Sequence, residues 1–240
     1  AASGLLLIFF AVSLSGCSRC GGGAGLAAIE SAVKIDLKEK RLKNGLRVVV
    51  VEDAETPVVS YQTWIRAGSV DETAGKTGIA HLFEHLMFKG TQKYGAKEFF
   101  KRLEAKGAEV NAYTTRDYTV FYENFTPGLL SEVIELEADR LSNLVLTQEL
   151  LNTERQVVME ERRLRTENSP LGRMQEALWQ ISFSKHPYQW PVIGYAEDLG
   201  RLTLEDLRSF YLQHYQPGNA LVVVVGAVKA DDVFKKISAA

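Results

Sequence analysis

His81-Leu82-Phe83-Glu84-His85 sets two imidazoles and a carboxylate within five consecutive positions. On an α-helix, residues 81 and 85 lie one turn apart on one face, with residue 84 beside them. Two imidazoles so placed can share one Zn²⁺ while the glutamate points at the metal's open position. The order, HxxEH, reverses the commoner HExxH arrangement. The flanks predict a helix, because Ile79–Lys89 contains neither glycine nor proline, Gly78 precedes it and Gly90 stands where a C-terminal cap belongs. The plain alternative is a pair of core histidines satisfied by hydrogen bonds. Only four histidines occur in 240 residues, and two of them sit here one turn apart, which favours the metal.

A zinc site needs a third protein ligand. Thr147–Arg165 reads as a helix, with Leu151, Glu154, Val157, Val158, Glu161 and Leu164 recurring at three- and four-residue spacing. Glu154 and Glu161 therefore fall on the apolar stripe, and Arg155, Arg162 and Arg163 fall off it. A carboxylate facing a core is costly unless it is paired or bound to metal. Glu161 is thus the candidate third ligand, and Glu154, two turns earlier, a candidate partner that orients a ligand. The alternative is that one or both reach solvent at the stripe's edge.

The rest of the chain reads as an α+β domain. At 46% hydrophobic and 24% charged, with a net charge of −2, it can bury a core and is not an electrostatic nucleic-acid binder. Residues 47–51, 58–66, 109–115, 118–125 and 220–225 read as strands, and 128–144, 147–165 and 171–183 as helices. The strands at 109–115 and 118–125 are too close for a crossover helix, so they must pair antiparallel. The class expected is a largely antiparallel sheet with helices packed on it, spanning residues 26–240. The valine run 222–225 reads as a buried strand, and His186-Pro187-Tyr188 as a loop. His214 reads as a surface or packing residue. Arg162, Arg163 and Arg165 read as a solvated helix face, with contact to an acidic peptide as the alternative.

Residues 1–25 differ in kind. Leu5–Leu14 is a ten-residue apolar run, too short to span a bilayer but suited to the h-region of a secretory signal. It leads into Leu14-Ser15-Gly16-Cys17, which resembles a bacterial lipobox, so Cys17 is the candidate lipidation site and the glycine-rich Ser18–Gly25 a tether. An ordinary signal peptide cut near Ser15 or Gly16 is the alternative. The expected location is the bacterial cell envelope, as a periplasmic or outer-membrane lipoprotein, with membrane contact through the lipid anchor only. No initiator methionine or basic segment precedes the run, which suggests a trimmed start. Both cysteines, Cys17 and Cys20, fall in this segment, which excludes a disulfide framework or a cysteine-bound metal in the domain.

With Glu161 following inside Glu154-Arg-Gln-Val-Val-Met-Glu-Glu161, the motif resembles the active half of a pitrilysin/insulinase-family zinc peptidase, the HxxEH or inverzincin type. Among that family it is most similar to bacterial relatives of mitochondrial processing peptidase. Ala67-Gly-Ser69 with Glu72, Phe88-Lys-Gly-Thr91, Gly107-Ala-Glu-Val-Asn111-Ala112-Tyr-Thr114, His186-Pro187-Tyr188 and Asn219-Ala220 match in order, from about Leu42 to the C-terminus. The resemblance implies one Zn²⁺ per chain and a peptide or unfolded-protein substrate. It also implies that Asn111 and Ala112 hold the substrate backbone as an added strand; the alternative is that Asn111 simply ends or bulges a strand, where Asn is disfavoured in the interior. From the site itself, His81, His85 and Glu161 would hold the metal, and Glu84 would serve as general base toward the metal's water. The resemblance further implies a second homologous domain or subunit that completes the chamber. The alternative is a non-catalytic peptide-binding or assembly subunit that keeps a structural zinc.

Overall fold

The computed structural model describes residues 35–240, so Leu5–Leu14, Cys17, Cys20 and the glycine-rich tether lie outside the described residues. Residues 36–240 form one compact unit. Six strands, β1 (Leu37–Arg41), β2 (Arg47–Glu52), β3 (Val59–Ile65), β4 (Glu109–Thr114), β5 (Thr119–Phe125) and β6 (Ala220–Gly226), make one sheet in the order β1-β2-β6-β3-β5-β4. Every neighbouring pair is antiparallel except β2 and β6, which run parallel with Val48 opposite Val222. β1 and the parallel pairing were not anticipated from the sequence. β1 returns into β2 through Asn44-Gly45, where Gly45 takes a left-handed φ of 94° and the Leu42 N–H donates to Leu46 O at 2.8 Å.

Side chains alternate across each strand, and the helices cover one face. On β3, Val59, Tyr61, Thr63 and Ile65 are buried while Ser60, Gln62 and Trp64 are half-buried. The valine run of β6 follows the same rule: Val222 and Val224 are buried, Val223 and Val225 only partly. It is a one-sided strand rather than a fully buried one.

The helices are α1 (Ile79–Leu86), α2 (Glu98–Glu104), α3 (Leu130–Asn143), α4 (Gln148–Arg162), α5 (Pro170–Ser182), α6 (Ala196–Arg201), α7 (Leu204–His214) and α8 (Ala230–Ala239). Over β2, β3 and β6, residues of α2, α3 and α8 form one apolar cluster that includes Val48, Tyr61, Leu103, Val133, Val224 and Val233. A second cluster joins α1, α4, α6 and α7 to Ile65 and Phe121. Each fully buried Leu, Val or Phe contributes roughly 1.5–3 kcal/mol of transfer free energy, so the second cluster is what fixes α1 and α4 relative to each other.

Two helix ends differ from the sequence reading. α1 stops at Leu86 rather than Lys89, although Gly90 does take a left-handed φ of 108°. α4 stops at Arg162 and continues as a π-helical turn, Arg163–Glu167.

Candidate metal centre

α1 is fixed from below and from its start. Leu82, Phe83 and Leu86 are buried, and the Phe83 ring lies 5.5 Å from Phe210 and 5.1 Å from Tyr215. The opposite face, with His81 and His85, is left for chemistry. At the helix start Gly78 adopts φ +88°, and a Cβ there would stand 2.6 Å from Ile193 O, so only glycine fits. The buried Glu72 carboxylate accepts from the Gly78 and Ala80 N–H groups at 3.0 and 2.9 Å. It satisfies donors that every helix start leaves open, while burial pushes its pKa well above the ordinary carboxylate range against the pull of those two hydrogen bonds.

α4 lies against this face. Thr147 caps it by accepting from the Leu150 N–H at 3.2 Å. Glu161 Oε2 sits 3.3 Å from His85 Nε2 and 3.8 Å from His81 Nε2. Donor atoms of a tetrahedral zinc with bonds of about 2.0–2.1 Å stand roughly 3.3–3.4 Å apart. The three donor atoms therefore fit one metal ion, all lying within 4.8 Å of one another. Among the described residues no other group of three or more His, Cys, Asp or Glu is so gathered.

Electrostatics separate the two histidines. Burial, with His85 adding to it, lowers the His81 imidazole to about 4. Burial pushes His85 the same way, but the Glu154 and Glu161 carboxylates outweigh it and raise His85 to about 9. Glu161 is held below its ordinary value by His85, against the opposing effect of burial. At neutral pH, His81 and Glu161 are thus already in ligand form, while His85 must release a proton to solvent before it can bind a metal.

Glu154 is buried at 3% exposure. One carboxylate oxygen stands 2.9 Å from Lys89 Nζ and the other 3.7 Å from His85 Nδ1. Burial alone would raise its pKa, but His85 and Lys89 overcome this and lower it. The imidazole nitrogen turned away from Glu161 therefore faces a carboxylate, the usual support of a metal-bound histidine.

Glu84 sits beside the donors and binds none of them. Thr114 Oγ1 donates to Glu84 Oε2 at 2.6 Å. Burial raises the Glu84 pKa, with the Thr114 hydrogen bond opposing. Glu84, the three donors, Asn111 and Ala112 all line one cavity of about 710 Å³. One wall is β4, an edge strand of the sheet. Ala112 turns its side chain toward the second apolar cluster. The exposed Asn111 accepts from the Ala112 N–H through Oδ1 at 2.9 Å.

All the residues singled out within residues 35–240 for metal, base and backbone contact thus meet in one place. Lys89 and Thr114 had no assigned role. Lys89 could have been found, since 81, 85 and 89 form one four-residue series. Thr114 could not, since its contact with Glu84 spans strand and helix.

Other readings need correction. Arg162 is not on a solvated face: it is 6% exposed and donates to both Glu176 oxygens at 2.9 and 3.1 Å. α5 packs there, because Gly172 lies so close that a Cβ would stand 2.2 Å from Arg165 O. Val157 and Leu164 leave the apolar stripe, being 46% and 62% exposed. Val157 lies at the stripe's edge, and Leu164 lies past the point where the π turn rotates the register. Arg163 and Arg165 do lie on a solvated face as expected, with side chains 54% and 75% exposed; Arg163 pairs with Glu160, and Arg165 with Glu161 at 2.9 Å. His186 is an exposed cap of a short turn, whose Nδ1 accepts from the Tyr188 N–H at 3.2 Å. His214 packs on Phe210 at 4.4 Å.

The family Insulinase (Peptidase family M16) matches residues 47–195, which contain His81, Glu84, His85 and Glu161. Peptidase M16 inactive domain matches residues 201–240, which contain none of them. The chain is 41% identical over 195 residues to Zinc protease PqqE of Helicobacter pylori, covering 81% of this chain and 44% of that protein. Among solved structures, a protease from Helicobacter pylori aligns with a TM-score of 0.84 at 38% identity, covering 85% of this chain and 50% of that one. The periplasmic protease PqqL from Escherichia coli aligns with a TM-score of 0.77 at 26% identity, covering 86% of this chain and 24% of that one. The chain spans about half the length, or less, of these relatives.

Proposed function

Because the chain belongs to the insulinase family of peptidases, family M16, we propose that it is the metal-bearing half of a zinc endopeptidase that hydrolyses extended peptides. The observation that carries this reading is Glu84: it shares a cavity with three convergent metal donors without being one of them. A purely structural zinc would be enclosed by four protein ligands and would need no free carboxylate at its side.

His81, His85 and Glu161 would hold one zinc, which when bound supplies a Lewis acid and lowers the pKa of a water. Glu84 would act as general base toward the attacking water and as general acid toward the leaving nitrogen, returning there the proton it had taken. Its raised pKa suits both halves of the transfer. The Thr114 hydroxyl holds one Glu84 oxygen and so aims the other. Glu154, with Lys89 behind it, holds the His85 ring in orientation. The exposed edge of β4 would take the substrate as a further antiparallel or parallel strand, with backbone hydrogen bonds giving affinity and little sequence preference. For that, the Asn111 side chain must leave the Ala112 N–H free. A second homologous half would cover the cavity, and the apolar run at Leu5–Leu14 with Cys17 supports an exported, envelope-bound location.

The test is Glu84→Gln in a full-length preparation. Zinc content, read by metal analysis, should stay at one per chain while peptide turnover falls by about 10²–10⁴-fold. A chelator should abolish wild-type turnover. Loss of zinc from the variant, or undiminished turnover, would count against this assignment.

A further inference from the structure

Arg116 is the unmatched charge of the cavity. It lies in the short turn joining β4 to β5, where the Thr115 N–H donates to Tyr118 O at 2.8 Å. Its guanidinium carbon stands 3.6 Å from the centre of the Trp179 ring and 5.7 Å from that of Tyr188. The ring beneath is braced in turn, since Trp179 stacks on Phe183 at 5.4 Å and 14°. Arg116 and Trp179 both line the cavity that holds His81, Glu84 and Glu161.

The neighbouring carboxylates are engaged elsewhere. Asp117 accepts from the Tyr188 hydroxyl at 2.6 Å, Glu176 is held by Arg162, and Glu161 faces the histidines and Arg165. Among the described residues no carboxylate lies within ion-pair distance of Arg116. Its Nε is buried and has no hydrogen-bond partner. Burial also lowers its pKa, as expected of a guanidinium partly stripped of water. A stacked, partly dehydrated guanidinium presents its donors as a rigid fork, and the geometry that fork matches best is a carboxylate.

We propose that Arg116, seated on Trp179, is a subsite for a carboxylate of the bound peptide, supplied either by an aspartate or glutamate side chain or by the peptide's own C-terminus. The inference rests on the peptidase reading above and adds a preference to it. Thr114, which touches Glu84, is two residues away, and two residues span at most about 7 Å. The carboxylate recognised is therefore within two or three residues of the bond cut. An acidic group at that place gains charge-assisted hydrogen bonds, whereas its amide analogue leaves the guanidinium dehydrated and unpaired.

The experiment measures equilibrium binding of fluorescent peptides to the whole chain in the zinc-loaded Glu84→Gln background, which prevents cleavage. Four peptides of one sequence are compared: Glu or Gln beside the scissile position, each with a free or an amidated C-terminus. The Glu or the free-acid peptide should bind about tenfold or more tightly than its neutral counterpart, and which of the two does so names the source of the carboxylate. Arg116→Met and Arg116→Lys should each weaken that peptide by about 10- to 100-fold and leave the neutral, amidated peptide within about twofold. The lysine variant keeps the charge and the stem over Trp179, so it tests the fork even if the methionine variant folds poorly. If Arg116 merely braces Trp179, both variants weaken acidic and neutral peptides alike, and the proposal fails. Equal affinity of the parent protein for all four peptides overturns it while leaving the peptidase reading intact. No binding of any peptide overturns both.

Discussion

Replacing Glu154 with glutamine should weaken zinc binding without disturbing the fold. The side chain is nearly isosteric, sits at 3% exposure, and keeps a carbonyl oxygen that can still accept from Lys89 Nζ, now 2.9 Å away. What it loses is the negative charge 3.7 Å from His85 Nδ1. That charge stabilises a protonated Nδ1 and thereby presents Nε2, on the Glu161 side, with its lone pair toward the metal. Loss of such a support costs about 10–100-fold in metal affinity, which is about 1.4–2.8 kcal/mol at 1.4 kcal/mol per tenfold. The assay is competition for zinc against a chromophoric chelator of known affinity, at fixed pH and salt. Lys89→Met provides the control: it leaves the carboxylate charge near His85, so zinc affinity should fall less than in Glu154→Gln. An unchanged zinc affinity in Glu154→Gln, with native circular dichroism, would refute the reasoning and reduce Glu154 to a partner of Lys89.

Three further outcomes are expected. Glu52 is held down to about 2 by the Ala230 N–H first, then by Lys38 and Lys229. Since the folded value lies below the ordinary 4.5, the stabilisation is present above that value and is lost as pH falls through about 2. The melting-temperature gap between wild type and Glu52→Gln should accordingly be full at pH 6 and close toward pH 2, and a pH-independent gap would contradict the assignment. Residues 1–240 alone should bind zinc yet cleave peptides weakly, with a longer product carrying a second homologous half restoring turnover; full activity from the verified monomer of the short form would sink the two-half reading. Mass spectrometry of the mature protein from a bacterial envelope fraction should find Cys17 as a lipid-modified N-terminus, and an unmodified N-terminus beyond Cys17 would remove the anchor.

Much of the centre could be read from sequence because its parts obey helical spacing. His81 and His85 are one turn apart on one helix, and Glu154 and Glu161 two turns apart on another, so each pair could be placed on a face before any contact was known. Glu161 stood out because a carboxylate on an apolar stripe must find compensation. The contacts between elements were not readable in this way. Thr114 reaches Glu84 across a strand–helix junction, and Arg162 finds Glu176 only because α5 packs against the π turn. That turn illustrates a limit of periodicity, since one wider turn after Arg162 shifts every later residue off the extrapolated face. Strand positions were legible from local composition, but the pairing of β2 with β6 joins segments at opposite ends of the described residues, and no local pattern encodes it. α5 has no buried residue, so the helical reading of 171–183 found a helix that is not a core element.

The position of β6 also governs the order in which the domain can assemble. Synthesis proceeds from the N-terminus, so β1 and β2 emerge early and can form a hairpin, and β3, β4 and β5 can form a second patch. Neither patch can join the other until residues 220–226 arrive, because β6 alone lies between β2 and β3. Those contacts have large sequence separation, and closing such loops precedes any reward from the pairing, which slows folding. Both patches meanwhile leave strand edges unpaired, and a ribosome-bound chain carries them exposed. Holdase protection during synthesis therefore matters most for this domain before its central strand has emerged.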